Sequence, residues 1–367
     1  MFKSFLKFDW IIITSVLLLL GLSLAVLYPI SYNGQESGGE VSNFFLRQAV
    51  FAGIGLVVFI WLSFVDYRAF KSFSAVVFLG GIFLLLLALI FGKTIRGTSG
   101  WIDLGIFSFQ PVEPFKLITV VVLAKYFSVN SRTIGEFRHI LISAVPVILS
   151  VILILKQPDL GSAIVVLGIW LGMLTVSGVK KKYLVFLLLL GLILTLVSWN
   201  FLLKEYQKER LSTLIDPFAD PLGSGYNVIQ STVAVGSGEI WGKGLGHGSQ
   251  SQLNFLPEKH TDFIFAVIAE ELGFAGAIFV LVLLMVIMTR LLTIARNSQD
   301  NFGKMLASGI VTIIFIQGAV NIGMNIGIVP VAGIPLPFLS YGGSSLITML
   351  AALGIAQSVE RRGKVSP

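Results

Sequence analysis

The sequence predicts an all-α integral membrane protein of about ten transmembrane helices, with both termini cytoplasmic and a large extracytoplasmic loop between helices 7 and 8. Three observations carry that prediction. Of 367 residues, 55% are hydrophobic and only 12% charged, whereas a soluble domain is about 25% charged. The apolar residues gather in ten runs of roughly 20, the length that crosses a bilayer as helix. The basic residues fall on alternate sides of those runs.

Taken in order, the runs lie near 10–30, 46–65, 72–92, 112–129, 138–156, 160–178, 183–203, 263–289, 304–325 and 344–360. The first, with Lys3 and Lys7 before it, looks at first like a signal peptide. It is too long for one and has no clear small-residue cleavage site, so it counts as a span. With the N-terminus inside, 16 of the 26 Lys and Arg residues fall on short cytoplasmic segments, among them Arg68, Lys71, Lys180, Lys181, Lys182, Arg361 and Arg362. That asymmetry sets the orientation. The net charge of +7 is therefore a topology signal and implies no nucleic-acid partner. The absence of cysteine excludes disulfides, thiolate metal sites and cysteine nucleophiles.

Irregular sequence concentrates on the outer side: 28–42, 93–111, 204–262 and 327–343. The inner connections are minimal. Loops longer than about 15 residues usually work as lids or binding elements, so the working face is expected to look outward. Residues 1–367 read as one polytopic membrane domain, with 204–262 as a loop within it and no internal repeat.

Five polar or ionisable residues, Glu258, Lys259, His260, Thr261 and Asp262, directly precede an apolar run that carries Glu270 and Glu271. Ionisable groups at a bilayer mark functional sites by default. Asp262 stands where a helix begins; the plain alternative is that it or Thr261 caps that helix. Helical rise puts Glu270 roughly 12 Å deeper, as a structural partner for other helices. Glu113 and Lys116, three residues apart, share a helix face. They are either a terminal ion pair or a cation held to meet an anion. Asp159, in a tight outer turn, reads locally as the N-cap of the sixth span. Glycines crowd 223–248, which suits close backbone approach to phosphate or sugar and equally suits a tight loop. The three histidines form no metal pattern, and a carboxylate metal site from Asp159 and Asp262 stays open.

Four motifs in order, Gln110-Pro-Val-Glu113-Pro-Phe-Lys116-Leu, Gln157-Pro-Asp159-Leu-Gly, Phe255-Leu-Pro-Glu-Lys-His260-Thr-Asp262-Phe-Ile-Phe and Gly333-Ile-Pro-Leu-Pro-Phe-Leu-Ser340-Tyr-Gly-Gly-Ser344, resemble the SEDS family (shape, elongation, division, sporulation) over nearly the whole chain. In length and short cytoplasmic ends the chain looks like its rod-shape members. Two departures stand out: the family often has a second basic residue before the Trp of Thr98-Ser-Gly-Trp101, and Val112 replaces the usual Ser. The resemblance implies a peptidoglycan glycosyltransferase of the bacterial cytoplasmic (inner) membrane. Such an enzyme polymerises lipid II at the outer face, from an undecaprenyl-pyrophosphate-linked glycan donor. The implied partners are a class B penicillin-binding protein and other elongation-machinery membrane proteins. The resemblance makes Asp262 the catalytic residue.

A β-1,4 link formed from an α-linked pyrophosphate inverts the anomeric carbon, so a one-step displacement needs a base on the acceptor hydroxyl. Asp262 is the expected base. The leaving pyrophosphate calls for cations or a metal: Lys116, Arg210, Lys259 and Arg96, in that order, or a divalent Mg or Mn ion. Glu113 is expected to position Lys116, Asp159 to bind acceptor sugar or the ion, and His260 to bind substrate. A groove between helices, open to lipid, would take the polyprenyl tail. Two other readings are a lipid II flippase or transporter, favoured by Glu270, Glu271 and Lys116, and a non-catalytic scaffold. The transporter lacks its paired broken helices in matching halves.

Overall fold

The computed structural model describes residues 8–32, 43–95, 97–103, 105, 107–201, 205–223 and 225–363. A helix occupies each of the ten predicted segments: α1 Trp10–Tyr32, α2 Phe44–Phe64, α3 Tyr67–Phe91, α4 Val112–Val129, α5 Phe137–Lys156, α6 Leu160–Ser177, α7 Lys181–Phe201, α11 Ile264–Asn297, α12 Asn301–Asn325 and α13 Gly343–Gly363. Seven of these, α1, α2, α3, α5, α6, α11 and α12, are long and apolar enough to cross a membrane among the described residues. The protein is thus a multi-pass membrane protein. Helix α4 falls outside that group because its 18 residues carry Glu113, Lys116 and Lys125.

Packing converges on α12, which touches α4, α6 and α11. Glycines permit the closest approaches: a Cβ on Gly309 would run into Val120 of α4, and one on Gly172 into Thr312. Helix α13 packs along α2, where a Cβ on Gly354 would meet the Phe59 carbonyl oxygen at 2.6 Å. Outward faces of α3 and α5 carry exposed Phe73, Leu79, Phe83, Leu141 and Ile148, as lipid contact demands.

The long connections after α3 and α7 are more ordered than the sequence predicts. Residues 93–109 form a small antiparallel sheet, β1 Lys93–Ile95, β2 Thr98–Asp103 and β3 Ser108–Phe109, in the order β1-β2-β3. Trp101 pairs with Lys93, and Ile102 with Phe109. The fold is therefore helical with one small sheet rather than all-α. The large loop holds α8 Glu205–Ile215, a 3-10 turn Pro217–Ala219, α9 Tyr226–Ser237 and the short α10 Ser249–Gln252.

Helix α11 is broken. Gly273 sits at φ 67°, ψ −164°, and the pieces on either side differ in environment. From Ile264 to Glu271 every residue is buried in protein, whereas Phe274, Phe279, Val282 and Met285 are exposed. Exposure therefore begins at Phe274, beyond the break, while Glu270 is buried as expected on the helical stretch before it. A break exposes backbone groups that a bilayer cannot satisfy. Here the glycine-rich loop supplies the partners. Phe274 and Ala275 donate to the carbonyls of Glu239 and Ile240, and Lys243 and Gly244 donate to those of Glu270 and Glu271. A Cβ on Gly238 or Gly242 would strike the backbone of Ala269 or Glu271. The glycine density at 236–248 thus serves backbone pairing with the helix break. The two glutamates are structural partners for this loop and for its short helix α10. Glu270 accepts from Lys243 Nζ at 3.0 Å, Gln250 N at 2.8 Å and Ser251 N at 3.0 Å, and Glu271 from Ser251 Oγ and Gln252 Nε2.

Candidate active site

Asp262 sits in a turn, one residue before the cap of α11. Glu258 adopts a left-handed backbone (φ 49°), and its carbonyl accepts from the N–H groups of Thr261, Asp262 and Phe263. The cap position is taken by Phe263, which makes no side-chain cap bond. The capping alternative for Asp262 is not realised. Its partly exposed carboxylate lines a cavity of about 580 Å³.

That cavity gathers residues from five parts of the chain. The sheet contributes Thr98 and Trp101; the start of α4, Gln110 and Glu113; the α5–α6 turn, Asp159; the loop before α13, Gly333, Tyr341 and Ser344. Asn227 of α9 is the part of the large loop that reaches it ahead of Glu258. Among the described residues lining it are four carboxylates, Glu113, Asp159, Glu258 and Asp262, and no Lys or Arg. A carbohydrate site needs such a wall of amides, hydroxyls and an aromatic face in a concave pocket.

Three of the predicted residues meet here with Asp262. Asp159 caps α6, accepting from Ser162 N at 2.9 Å, and accepts from Gln110 Nε2 at 3.3 Å. Burial pushes its carboxyl above the usual range, against the pull of the Ser162 N–H and Lys116. Both the cap and the cavity roles are thus present in one side chain. Glu113 and Lys116 form a fully buried ion pair at 2.7 Å. Glu113 faces the cavity, and Lys116 stands one turn further in, about 4.5 Å along the axis.

The other candidates lie elsewhere. Lys259 turns away from the cavity and donates to the Ser251 carbonyl and, at 2.8 Å, to Asn254 Oδ1. Burial lowers its ammonium pKa, partly opposed by Glu271 and Glu270. It is a clamp on the α10 loop rather than a wall of the site. His260 stacks on Phe44 with centroids 4.0 Å apart and packs near Tyr341, outside the lining. Its Nε2 lies 3.8 Å from Oε2 of Glu258, a residue that does line the cavity. Arg96 lies outside the described residues, although its neighbours Ile95 and Gly97 line the cavity. Arg210 is described only by its place on α8.

The roof of the cavity rests on α6. A Cβ on Gly161 would run into the Ala332 carbonyl oxygen, and one on Gly333 (φ 67°) would sit 3.6 Å from Asp262 Oδ2. Gly161→Ala is therefore expected to lift the 331–334 segment, lowering stability by about 1–3 kcal/mol and polymerising activity with it. Thermal melting in detergent beside an activity assay checks this.

A second chamber adjoins the first through Gly343 and Ser344, which line both. It is an apolar groove of about 710 Å³ between α2, α4 and α13, walled by Leu46, Val50, Phe51, Phe107 and Leu117, with Arg47 and Asn43 toward its outer end. Asn227 and Arg47 are single polar residues at helix starts, a pattern too common to mark them in the sequence.

Among the described residues, no group of three or more His, Asp or Glu side chains is close enough to hold a metal by itself. Asp159 and Asp262, the two carboxylates expected to share an ion, both line the cavity.

The family model for cell cycle proteins of the FtsW/RodA/SpoVE type matches residues 9–365. Stage V sporulation protein E of Bacillus subtilis (strain 168) is 40% identical over 359 residues, covering 96% of this chain and 97% of its own. Peptidoglycan glycosyltransferase MrdB of Escherichia coli (strain K12) is 40% identical over 318 residues, 85% of this chain and 84% of its own. A chain from a solved peptidoglycan synthase complex that coordinates polymerisation and crosslinking superposes with a TM-score of 0.81 at 34% identity, covering 98% and 99% of the two chains.

Proposed function

The chain belongs to the FtsW/RodA/SpoVE family of cell cycle proteins, and from that premise we propose that it polymerises lipid II with Asp262 as the general base. It is a peptidoglycan glycosyltransferase, as its relatives are named. The observation that carries the reading is the pairing of two chambers: a polar cavity holding Asp262, joined at Gly343 and Ser344 to an apolar groove.

The two chambers suit the two halves of a polyprenyl-linked sugar. The groove matches the tail, and the cavity matches the sugar and its pyrophosphate. The Asp262 carboxylate takes the proton of the acceptor 4-hydroxyl as that oxygen attacks the donor's anomeric carbon, and the pyrophosphate departs from the opposite face. Charge on the leaving group is met by Arg47 at the groove, by Lys116 acting from behind Glu113, and by Arg96, whose neighbours border the cavity. A divalent ion held by Asp159 and Asp262 would supply further positive charge there. On this reading the site faces the extracytoplasmic side of the cytoplasmic membrane, with both termini inside and ten spans. A class B penicillin-binding protein crosslinks the product, and the chain serves rod-shape elongation.

The test is polymerisation of labelled lipid II by the purified protein with its penicillin-binding partner. A ladder of long glycans is expected. Lipid II crossing liposome membranes without any glycan would favour a flippase. Asn227→Ala is expected to raise KM for lipid II several-fold, from the loss of about 1 kcal/mol of hydrogen bonding, with kcat nearly unchanged. Steady-state kinetics of the same assay read it.

A further inference from the structure

Asp262 belongs to a segment without regular structure, yet three successive carbonyls there are held from outside. The His260 carbonyl accepts from Tyr341 N at 2.8 Å, and that of Thr261 from Ser340 Oγ at 2.6 Å. The Asp262 carbonyl accepts twice, from Asn321 Nδ2 at 2.9 Å and Asn325 Nδ2 at 3.0 Å. The two asparagines stand one turn apart on α12 and are completely buried.

Their remaining polar atoms are used as fully. Asn321 Nδ2 also donates to the Ile334 carbonyl at 2.7 Å, beside the Gly333 that borders the Asp262 carboxylate. Asn325 Nδ2 also donates to the Asn321 carbonyl, and its Oδ1 accepts from Ala266 N at 3.0 Å. Ala266 is the third helical residue of α11, the position whose N–H a cap side chain ordinarily satisfies. Asn325 supplies that cap from another helix. Gln317, one turn before Asn321 on the same face, is equally buried, yet neither of its side-chain polar atoms has a partner.

We infer that Asn321 and Asn325 are positioning residues for the polymerisation reaction. They fix the main chain of Asp262 against the roof of the cavity and satisfy the Ala266 N–H of α11, which sets where the carboxylate stands. The inference rests on the proposed role of Asp262. Neither asparagine lines the cavity or the groove, so neither touches substrate. A misplacement of about 1 Å from a residue away from the chemistry costs on the order of 10²-fold in rate.

The experiment compares Asn321→Ala, Asn325→Ala, the isosteric Asn325→Asp, Gln317→Leu and Asp262→Asn as purified full-length protein with its penicillin-binding partner. Folding is monitored by thermal melting and gel filtration. Each asparagine variant is expected to lose about 10–100-fold in kcat while KM for lipid II stays within about twofold. Gln317→Leu is expected to retain wild-type kcat. The inference is overturned if a folded Asn325→Ala keeps wild-type kcat. It is also overturned if KM rises in step with the loss of kcat, or if Gln317→Leu loses as much. Failure of all three asparagine variants to fold would reduce the pair to a stability element. Wild-type activity in Asp262→Asn would instead sink the base assignment itself, an outcome distinct from the others.

Discussion

Replacing Asp262 by asparagine is expected to abolish glycan polymerisation, a loss of about 10²–10⁴-fold for removal of a general base. The substitution keeps size and shape, and an amide does not take up the acceptor's proton. Its main chain is held by Asn321, Asn325 and the Glu258 carbonyl, bonds that the substitution leaves in place. The fold and binding to the penicillin-binding partner should therefore survive. Polymerisation of labelled lipid II by wild-type and variant complexes, matched for assembly, measures the effect. Equal product from both would leave Asp262 no chemical role.

The second large effect concerns the buried ion pair. Lys116→Met leaves the Glu113 carboxylate inside the protein without its cation, and Glu113 Oε2 already lacks a partner. Breaking a buried pair from one side costs about 3–5 kcal/mol. Removing both charges, as in Glu113→Gln with Lys116→Met, is often neutral or stabilising. The double variant should therefore melt near the wild-type temperature while the single variant melts well below it. Activity separates the two meanings of the pair. If Lys116 stabilises the departing pyrophosphate, the double variant is folded yet slower by about 10²-fold or more, the scale of a lost electrostatic contact. A double variant with wild-type kcat would make the pair purely structural.

Periodicity located the helices well, because a run of some 20 apolar residues has few other uses. It could not locate the break at Gly273, since apolar residues run on at helical length on both sides of Glu270 and Glu271 and a single glycine is no break signal by itself. Asp262, Glu113 and Asp159 were legible because carboxylates within or beside apolar runs are costly there. Lys259 and His260 shared that local signal, but a turn sends neighbouring side chains in different directions: Lys259 found partners outside the cavity, and His260 stacked on Phe44 behind its wall. Asn321 and Asn325 showed one available clue, two amides four residues apart in an apolar helix. Their use depends on a contact 59 or more residues away in sequence, which no local pattern carries. The glycines of 236–248 were ambiguous for the same reason, because their partner is a distant helix break.

The holders of Asp262 have a consequence for biosynthesis. Residues 321, 325, 334, 340 and 341 all follow it in the chain, so none exists when Asp262 leaves the ribosome. On the proposed orientation, the segment crosses to the outer side without its final conformation and waits there for α12 and the loop beyond it. Catalytic competence is thus among the last properties the nascent protein acquires. A chain arrested before residue 321 would be inserted in the bilayer, and silent.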